Sequence, residues 1–432
     1  MSPRRPLVFS LCAALWACTT TEPETGGTSS SSTSSGTETE TSSAETSGTE
    51  TGGEDPQPAW LASWAAAPQD ANPISALPIE LEDQTLRQRA HLSLGGEQVR
   101  LRLSNTFGDQ DVFVRDAHLA LSAQGPDLEP GSERVLRVED QDEFRIPAGE
   151  TVVTDPVELT VPPLGDLSVS LYFNALSTTQ TLHAAAHQTA WWLAGNHSAE
   201  PSWAQQELTT STSAYWLSGV EVLAPPEARA IVAFGDSITE GSGSTIDANS
   251  RWPDLLAARL QASPEHAQIS VVNAGIGGNC LLRLFVGERA LDRFERDVLE
   301  QPGVAWVIIT IGINDIGLDA GFGQTLTLEQ LIAGHQQLID DAHEHGLVAI
   351  GGTLLPFEGA YYYSEGGEEL REGLNAWIRT SGAYDAVVDF DAATRDPNMP
   401  TRLLPAHDSG DQLHPSDAGY AAMAEAIDLS LF

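Results

Sequence analysis

The chain contains no lysine, so each of its 21 basic side chains is an arginine, set against 61 aspartates and glutamates in 432 residues. The resulting formal charge of −40 excludes nucleic acid and anionic membrane surfaces as partners, since both would repel it. Cysteine is scarce as well. There are three, Cys12, Cys18 and Cys280, and the first two lie in an amino-terminal export signal. Cys280 is then left without a partner, which excludes a disulfide framework. The fold must be held by its apolar cores, and a hydrophobic content of 41% supports them. No His/Cys grouping has zinc spacing. His343-Glu344-His345 looks like a metal cluster, but adjacent helical positions point in different directions, so it reads as a solvated helix end. No metal or organic cofactor is implied.

Long apolar runs are also missing. Pro6 to Ala17 is too short to span a bilayer as a permanent helix, and it follows the basic Met1-Ser2-Pro3-Arg4-Arg5, as in an export signal. Leu15-Trp16-Ala17-Cys18 resembles a bacterial lipobox, which implies lipidation of Cys18 and a signal over residues 1–18. Thr19 to Pro58 is Ser/Thr/Glu-rich with no basic residue. It has too little apolar surface to offset its chain entropy, so 19–58 is expected to be a disordered tether. An exported lipoprotein of the outer membrane or cell surface follows, touching membrane only through Cys18.

Residues 59–224 are expected to form an all-β sandwich, jelly-roll-like. Val99, Leu101 and Leu103 alternate with Arg100, Arg102 and Ser104, and with Thr85 to Leu94 across Gly95-Gly96 they predict a hairpin. Trp191-Trp192 and Trp203 suit a sandwich core, with a sugar platform as the other possibility. From residue 225 to the end the rhythm is strand, loop, helix. Strands are predicted at Ala230–Phe234, Ile269–Asn273, Trp306–Ile311, Leu347–Thr353 and Ala386–Phe390, with helices between them. Such βαβ alternation implies α/β class with a parallel five-stranded sheet.

Ligands of an open parallel sheet bind at the carboxyl ends of its strands. Four polar segments are expected there, the last following the fifth strand: Gly235-Asp236-Ser237, Asn273 to Asn279, Gly312-Ile313-Asn314-Asp315, and Asp411-Gln412-Leu413-His414. A serine hydroxyl needs a base, which an imidazole supplies near neutral pH. Asp411 precedes His414 by three residues, so one turn would hold its carboxylate against the ring; Asp408 competes in the same loop, and the spacing favours Asp411. These four blocks, in this order, resemble the SGNH (GDSL) hydrolases, with Ile238 where the family name has leucine. The resemblance implies a flavodoxin-like domain with Ser237 as nucleophile and Asp411 and His414 completing a triad. It implies an oxyanion site from the Ser237 and Gly278 N–H groups and the Asn314 amide. Trp60 to Val222 also resembles the sandwich preceding this domain in a bacterial subfamily of arylesterases and carbohydrate acetylesterases.

The expected activity is hydrolysis of short acyl esters, especially O-acetyl groups on polysaccharide, through an acyl-enzyme. The alternatives are an arylesterase or lipase acting on longer chains, an envelope acyltransferase, and a carbohydrate-binding protein with a vestigial hydrolase domain. Phe357, Glu358, Tyr361 and Tyr362 form a possible substrate loop, with packing against the β-domain as its other explanation.

Overall fold

The computed structural model describes residues 57–319 and 325–432. The export signal, Cys18 and nearly all of the proposed tether lie outside the described residues.

Two large antiparallel sheets dominate the first half, with three smaller ones beside them, among them a three-stranded sheet that includes Thr181–His183. One large sheet joins β1 (Ala59–Ala65) to β7 (Leu217–Ala224) and then to β3 (Gly96–Ser104). The other centres on β2 (Gln84–His91), which pairs with β5 (Asp166–Phe173) and β6 (Ala190–Ala194); β5 also pairs with β4 (Asp116–Leu121). One apolar cluster fills the space between them, with Val99, Leu101 and Leu103 from the first sheet and Leu86, Val169 and Leu171 from the second, all 0% exposed. Period-2 alternation on β3 produces this directly, because every second side chain of a strand faces the core.

The predicted hairpin does not form. β2 and β3 lie in different sheets, and the Leu92–Gly95 segment carries the chain from one to the other. Leu92 and Leu94 are buried there, where Ser63 Oγ donates to the Leu94 carbonyl and accepts the Leu94 N–H, and Ser93 Oγ donates to the Ser63 carbonyl. An alternating pattern fixes which face of a strand is buried but not which strand it pairs with. The tryptophans are core. Trp191, Trp192 and Trp203 are 6%, 5% and 0% exposed, and the Arg87 guanidinium lies 4.0 Å from the Trp203 ring centre.

The second half is a parallel sheet of five strands: β8 (Arg229–Gly235), β9 (Ile269–Gly275), β10 (Val304–Thr310), β11 (Val348–Gly352) and β12 (Ala386–Val388). Their spatial order is β9-β8-β10-β11-β12, the order 2-1-3-4-5 of flavodoxin-like sheets. β8 and β10 read as continuous apolar runs because both faces are covered; Ile231 to Phe234 and Val307 to Ile309 are 0% exposed. Helices flank the sheet as the strand-helix alternation predicts: α2 (Trp252–Gln261), α5 (Leu328–Glu344), α6 (Glu365–Thr380) and α8 (Asp417–Glu425). Thr327 caps α5 reciprocally with Gln330, a device worth about 1 kcal/mol. Between β9 and β10, α3 (Ala290–Phe294) runs into a π-helical turn, Glu295–Leu299.

β9 is an edge strand of the parallel sheet, and the sandwich covers it. The Val271 N–H donates to Ser93 Oγ (3.0 Å), Ser270 Oγ donates to the Ala62 carbonyl (2.7 Å), and the Ala62 N–H donates to the Pro302 carbonyl (2.9 Å). Residues 57–432 therefore form one compact unit, and an edge that would otherwise offer unpaired backbone is closed.

Candidate active site

β8 ends at Gly235, where a Cβ would lie 2.4 Å from the Thr310 carbonyl oxygen. Only glycine fits, so the strand can turn at once into α1 (Ser237–Glu240). Asp236 caps that turn. Its side chain accepts from the Ile238 N–H (3.0 Å), and its carbonyl accepts from Thr239 (3.1 Å) and Glu240 (2.9 Å). Among the described residues, this leaves the Ser237 N–H available to a ligand, as helix starts do. Asp236 is fully buried and Oδ2 has no hydrogen-bond partner. Burial pushes its carboxyl up to about 7, because the charged form loses its water.

Ser237 Oγ lies 2.8 Å from His414 Nε2, and His414 Nδ1 lies 2.6 Å from Asp411 Oδ2. The other Asp411 oxygen accepts the backbone N–H groups of Leu413 (3.0 Å) and His414 (2.9 Å). One tight turn thus fixes carboxylate and ring together, as the three-residue spacing requires. The carboxylate only accepts, so Nδ1 carries the proton and Nε2 faces the hydroxyl as a base. Partial burial opposes ionisation of Asp411, but the hydrogen bond and charge of His414, with the two N–H groups, hold it down to about 2. Asp408 instead shapes the loop, accepting from the Gly410 and Gln412 N–H groups (both 2.9 Å). This loop does not follow the fifth strand directly. A short helix, α7 (Phe390–Thr394), and the ribbon Arg395–Leu403 intervene.

After β9 the chain makes a turn at 276–279, closed by the Asn279 N–H to the Ile276 carbonyl (3.1 Å). Gly278 sits at its third position with φ of 76°, the left-handed value that a type II turn demands there. A Cβ at 278 would also lie 2.7 Å from Val286 Cγ2. After β10, Asn314 on α4 (Ile313–Gly317) is 5% exposed. Its amide is held at both ends: Nδ2 donates to the Asn279 carbonyl (3.0 Å), and Oδ1 accepts from Tyr362 OH (3.4 Å). One Nδ2 hydrogen remains for a ligand. Asp315 accepts the Leu281 (2.6 Å) and Leu282 (3.0 Å) N–H groups; burial pushes it up to about 6.

One supporting group carries no signal in the sequence. Arg293 is fully buried and donates to the Gly235 (2.8 Å) and Ala274 (2.8 Å) carbonyls, Asn279 Oδ1 (3.0 Å) and Asp297 (3.0 Å). It ties together the ends of β8 and β9 and the 276–279 turn. An arginine inside a helical pattern bears no local mark of this.

The expected substrate loop divides. Phe357 is 0% exposed, lying under Tyr362 and Tyr363 with ring centres 6.0 and 5.1 Å away; it is a packing residue and meets no substrate. Glu358 is bound to Arg402 (2.5 Å) and Thr401 (2.5 Å). Tyr361 is 82% exposed and lies 4.5 Å, centre to centre, from Tyr362, which leads to Asn314. Tyr362 and Tyr363 pack on the α/β core rather than on the sandwich. His343 pairs with Asp385 (2.8 Å), and His345 Nδ1 bonds the Asp341 carbonyl (2.8 Å). Among the described residues no cluster suits a metal ion.

A serine, a histidine and an aspartate in hydrogen-bonded series, at the carboxyl edge of a parallel sheet, are the working parts of a serine hydrolase. Residues 233–422 match the model of the GDSL-like lipase/acylhydrolase family. The chain therefore carries a GDSL-like lipase/acylhydrolase domain and is a carboxylic ester hydrolase. Similar solved structures include an acetylxylan esterase from Geobacillus stearothermophilus, 26% identical, covering 46% of this chain and 91% of its own, TM-score 0.36. A GDSL-like lipase from Bacteroides thetaiotaomicron is 20% identical over 47% of this chain and 87% of its own, TM-score 0.36. No curated protein matches the chain.

Proposed function

We propose that Ser237 attacks the carbonyl of a short acyl ester, O-acetyl on a carbohydrate above all, in a compartment outside the cytoplasm. The observation that carries this is the continuous series Ser237 Oγ, His414 Nε2, His414 Nδ1 and Asp411 Oδ2, at 2.8 and 2.6 Å. His414 takes the hydroxyl proton as Oγ bonds the carbonyl carbon. The tetrahedral oxyanion accepts from the Ser237 and Gly278 N–H groups and Asn314 Nδ2. Collapse breaks the ester bond, and His414 returns the proton to the departing alkoxide. Water then attacks the acyl-enzyme by the same route and releases the acid. Each oxyanion donor contributes about 3–4 kcal/mol.

The rim supports a polar, hydrated alcohol component. Gln412, Asp408 and Ser409 border His414, and the Asp411 side chain is 51% exposed. Tyr361, exposed and lying against Tyr362, offers a ring face on which a sugar could stack. One observation favours longer acyl chains instead. Ile316, Leu326, Tyr362 and Leu370 line a cavity of about 560 Å³ on the Tyr362 side. Hydrolysis of nitrophenyl esters from C2 to C12, with acetate release from acetylated xylan, chitin-derived and pectin substrates, separates the two. A maximum at C2–C4 with polysaccharide deacetylation is expected; a maximum at C8 or beyond overturns the acetylesterase assignment. Ser237→Ala should remove turnover with folding intact, and retained activity would refute the mechanism.

A further inference from the structure

The sandwich reaches the catalytic layer beside the nucleophile. Glu240 stands three residues after Ser237 and is 2% exposed. Its carboxyl accepts the Gly277 N–H, and Oε2 lies 2.5 Å from where a Gly277 Cβ would be. Any side chain at 277 would therefore expel this carboxyl. The other oxygen, Oε1, has no hydrogen-bond partner and faces His183 Nε2 of the sandwich at 3.6 Å. His183 is 5% exposed, and its Nδ1 lies 2.9 Å from the Ala67 carbonyl oxygen. A carbonyl only accepts, so the ring proton is on Nδ1 and the Nε2 lone pair points at Glu240.

Protonation states match this geometry. Burial pushes Glu240 up to about 8 and His183 down to about 4. At neutral pH the carboxyl keeps its proton and the imidazole has none to spare on Nε2. A carboxyl O–H thus confronts a ring lone pair, at a distance that a small side-chain shift closes to a hydrogen bond. Arg251, Arg293 and Asp236 also act on Glu240. The chain just beyond it is fastened to the segment that follows His183. Arg251 donates to the Ala186 carbonyl (3.2 Å), and Thr189 donates to Asp247 through its N–H (2.7 Å) and its hydroxyl (2.5 Å).

We propose that Glu240 is a positioning residue for the Gly277-Gly278 turn and that His183 seats it, which makes the sandwich part of the catalytic apparatus. This rests on Gly278 as an oxyanion donor. Without the Gly277 contact the turn is free to move its neighbouring N–H, so the loss falls on the transition state rather than on substrate binding.

The test uses the full chain with Glu240→Leu, Glu240→Gln and His183→Leu, nitrophenyl acetate as substrate, and phenylboronic acid as the tetrahedral mimic on Ser237. Glu240→Leu should lower kcat about 30–100-fold, with KM unchanged within about twofold. Boronate affinity should fall by a similar factor. Glu240→Gln keeps an acceptor for Gly277 and a donor for His183, and should lose less than about threefold. His183→Leu should lower kcat about tenfold, again without moving KM. A folded Glu240→Leu with kcat within twofold of the parent overturns the proposal, and so does unchanged boronate affinity. If Glu240→Leu does not fold, unchanged kcat in His183→Leu overturns it, and a tenfold loss there supports it. An active Ser237→Ala would instead sink the underlying mechanism, so the two failures are distinguishable.

Discussion

The two sides of the site are built differently. The base side is one exposed turn: Asp411 and His414 lie three residues apart, with side chains 51% and 20% exposed, and the carboxylate accepts two hydrogen bonds from His414 and one from the Leu413 N–H within that turn. The oxyanion side is buried and assembled from four segments. Asn314 and Asn279 are 5% and 0% exposed, Glu240 2%, and Arg293 links the ends of β8 and β9 beneath them. A base needs one ring orientation, which a local turn supplies. An oxyanion needs several donors fixed before charge develops, and only a packed interior holds dipoles from distant segments that rigidly.

The largest expected effect breaks the base side. Asp411→Asn should lower kcat by about 10³–10⁴-fold, because an amide favours the wrong tautomer of His414. Its cost in thermal stability should be smaller than that of losing a fully buried group, since the side chain is half exposed. A loss under tenfold would show that the turn alone orients the ring. Next comes Asn314→Ala, which should cost about 10²–10³-fold in kcat with KM nearly unchanged. It should also destabilise the fold, because the Asn279 carbonyl loses its buried donor. Equal loss in kcat with no shift in unfolding temperature would contradict the contrast between the two sides.

The smallest effect is one of pH. Asp315, Asp236 and Glu240 are raised by burial to about 6, 7 and 8. A carboxyl with a raised folded value binds its proton more tightly when folded. Its stabilisation is whole below about pH 4 and is lost as pH rises through the folded value. The unfolding temperature should therefore fall between pH 5 and pH 8. Glu240→Gln should flatten that fall by up to about 1 kcal/mol per pH unit; an identical slope in the variant would place the loss elsewhere. The base side contributes with the opposite sign. Asp411, held down to about 2, stabilises above about pH 4 and loses that contribution only in strong acid.

Much of this was legible from residue pattern. Apolar runs such as Ala230 to Phe234 marked buried parallel strands because covering both faces removes any need for alternation. The blocks at strand ends marked the site because glycine, serine, asparagine and histidine there do little for packing. Phe357 was misplaced for a physical reason. An aromatic after a strand reads alike whether it lines a cleft or fills the core, and its 0% exposure comes from Tyr362 and Tyr363 folding over it. Thr85 to Leu103 failed similarly, since alternation is silent about partners.

Local sequence alone determined which atoms the proposed chemistry uses: the Asp411-to-His414 spacing, the glycine that lets β8 turn into Ser237, and the glycine at 278 that a positive φ requires. Tertiary structure decided what holds them. Glu240 meets His183 from a strand 57 positions earlier in the chain, and Arg293 bridges two strand ends. Local pattern encodes backbone conformation and burial through steric preference and periodicity. Contacts between distant segments depend on how whole layers pack, and no residue's neighbours in sequence record that.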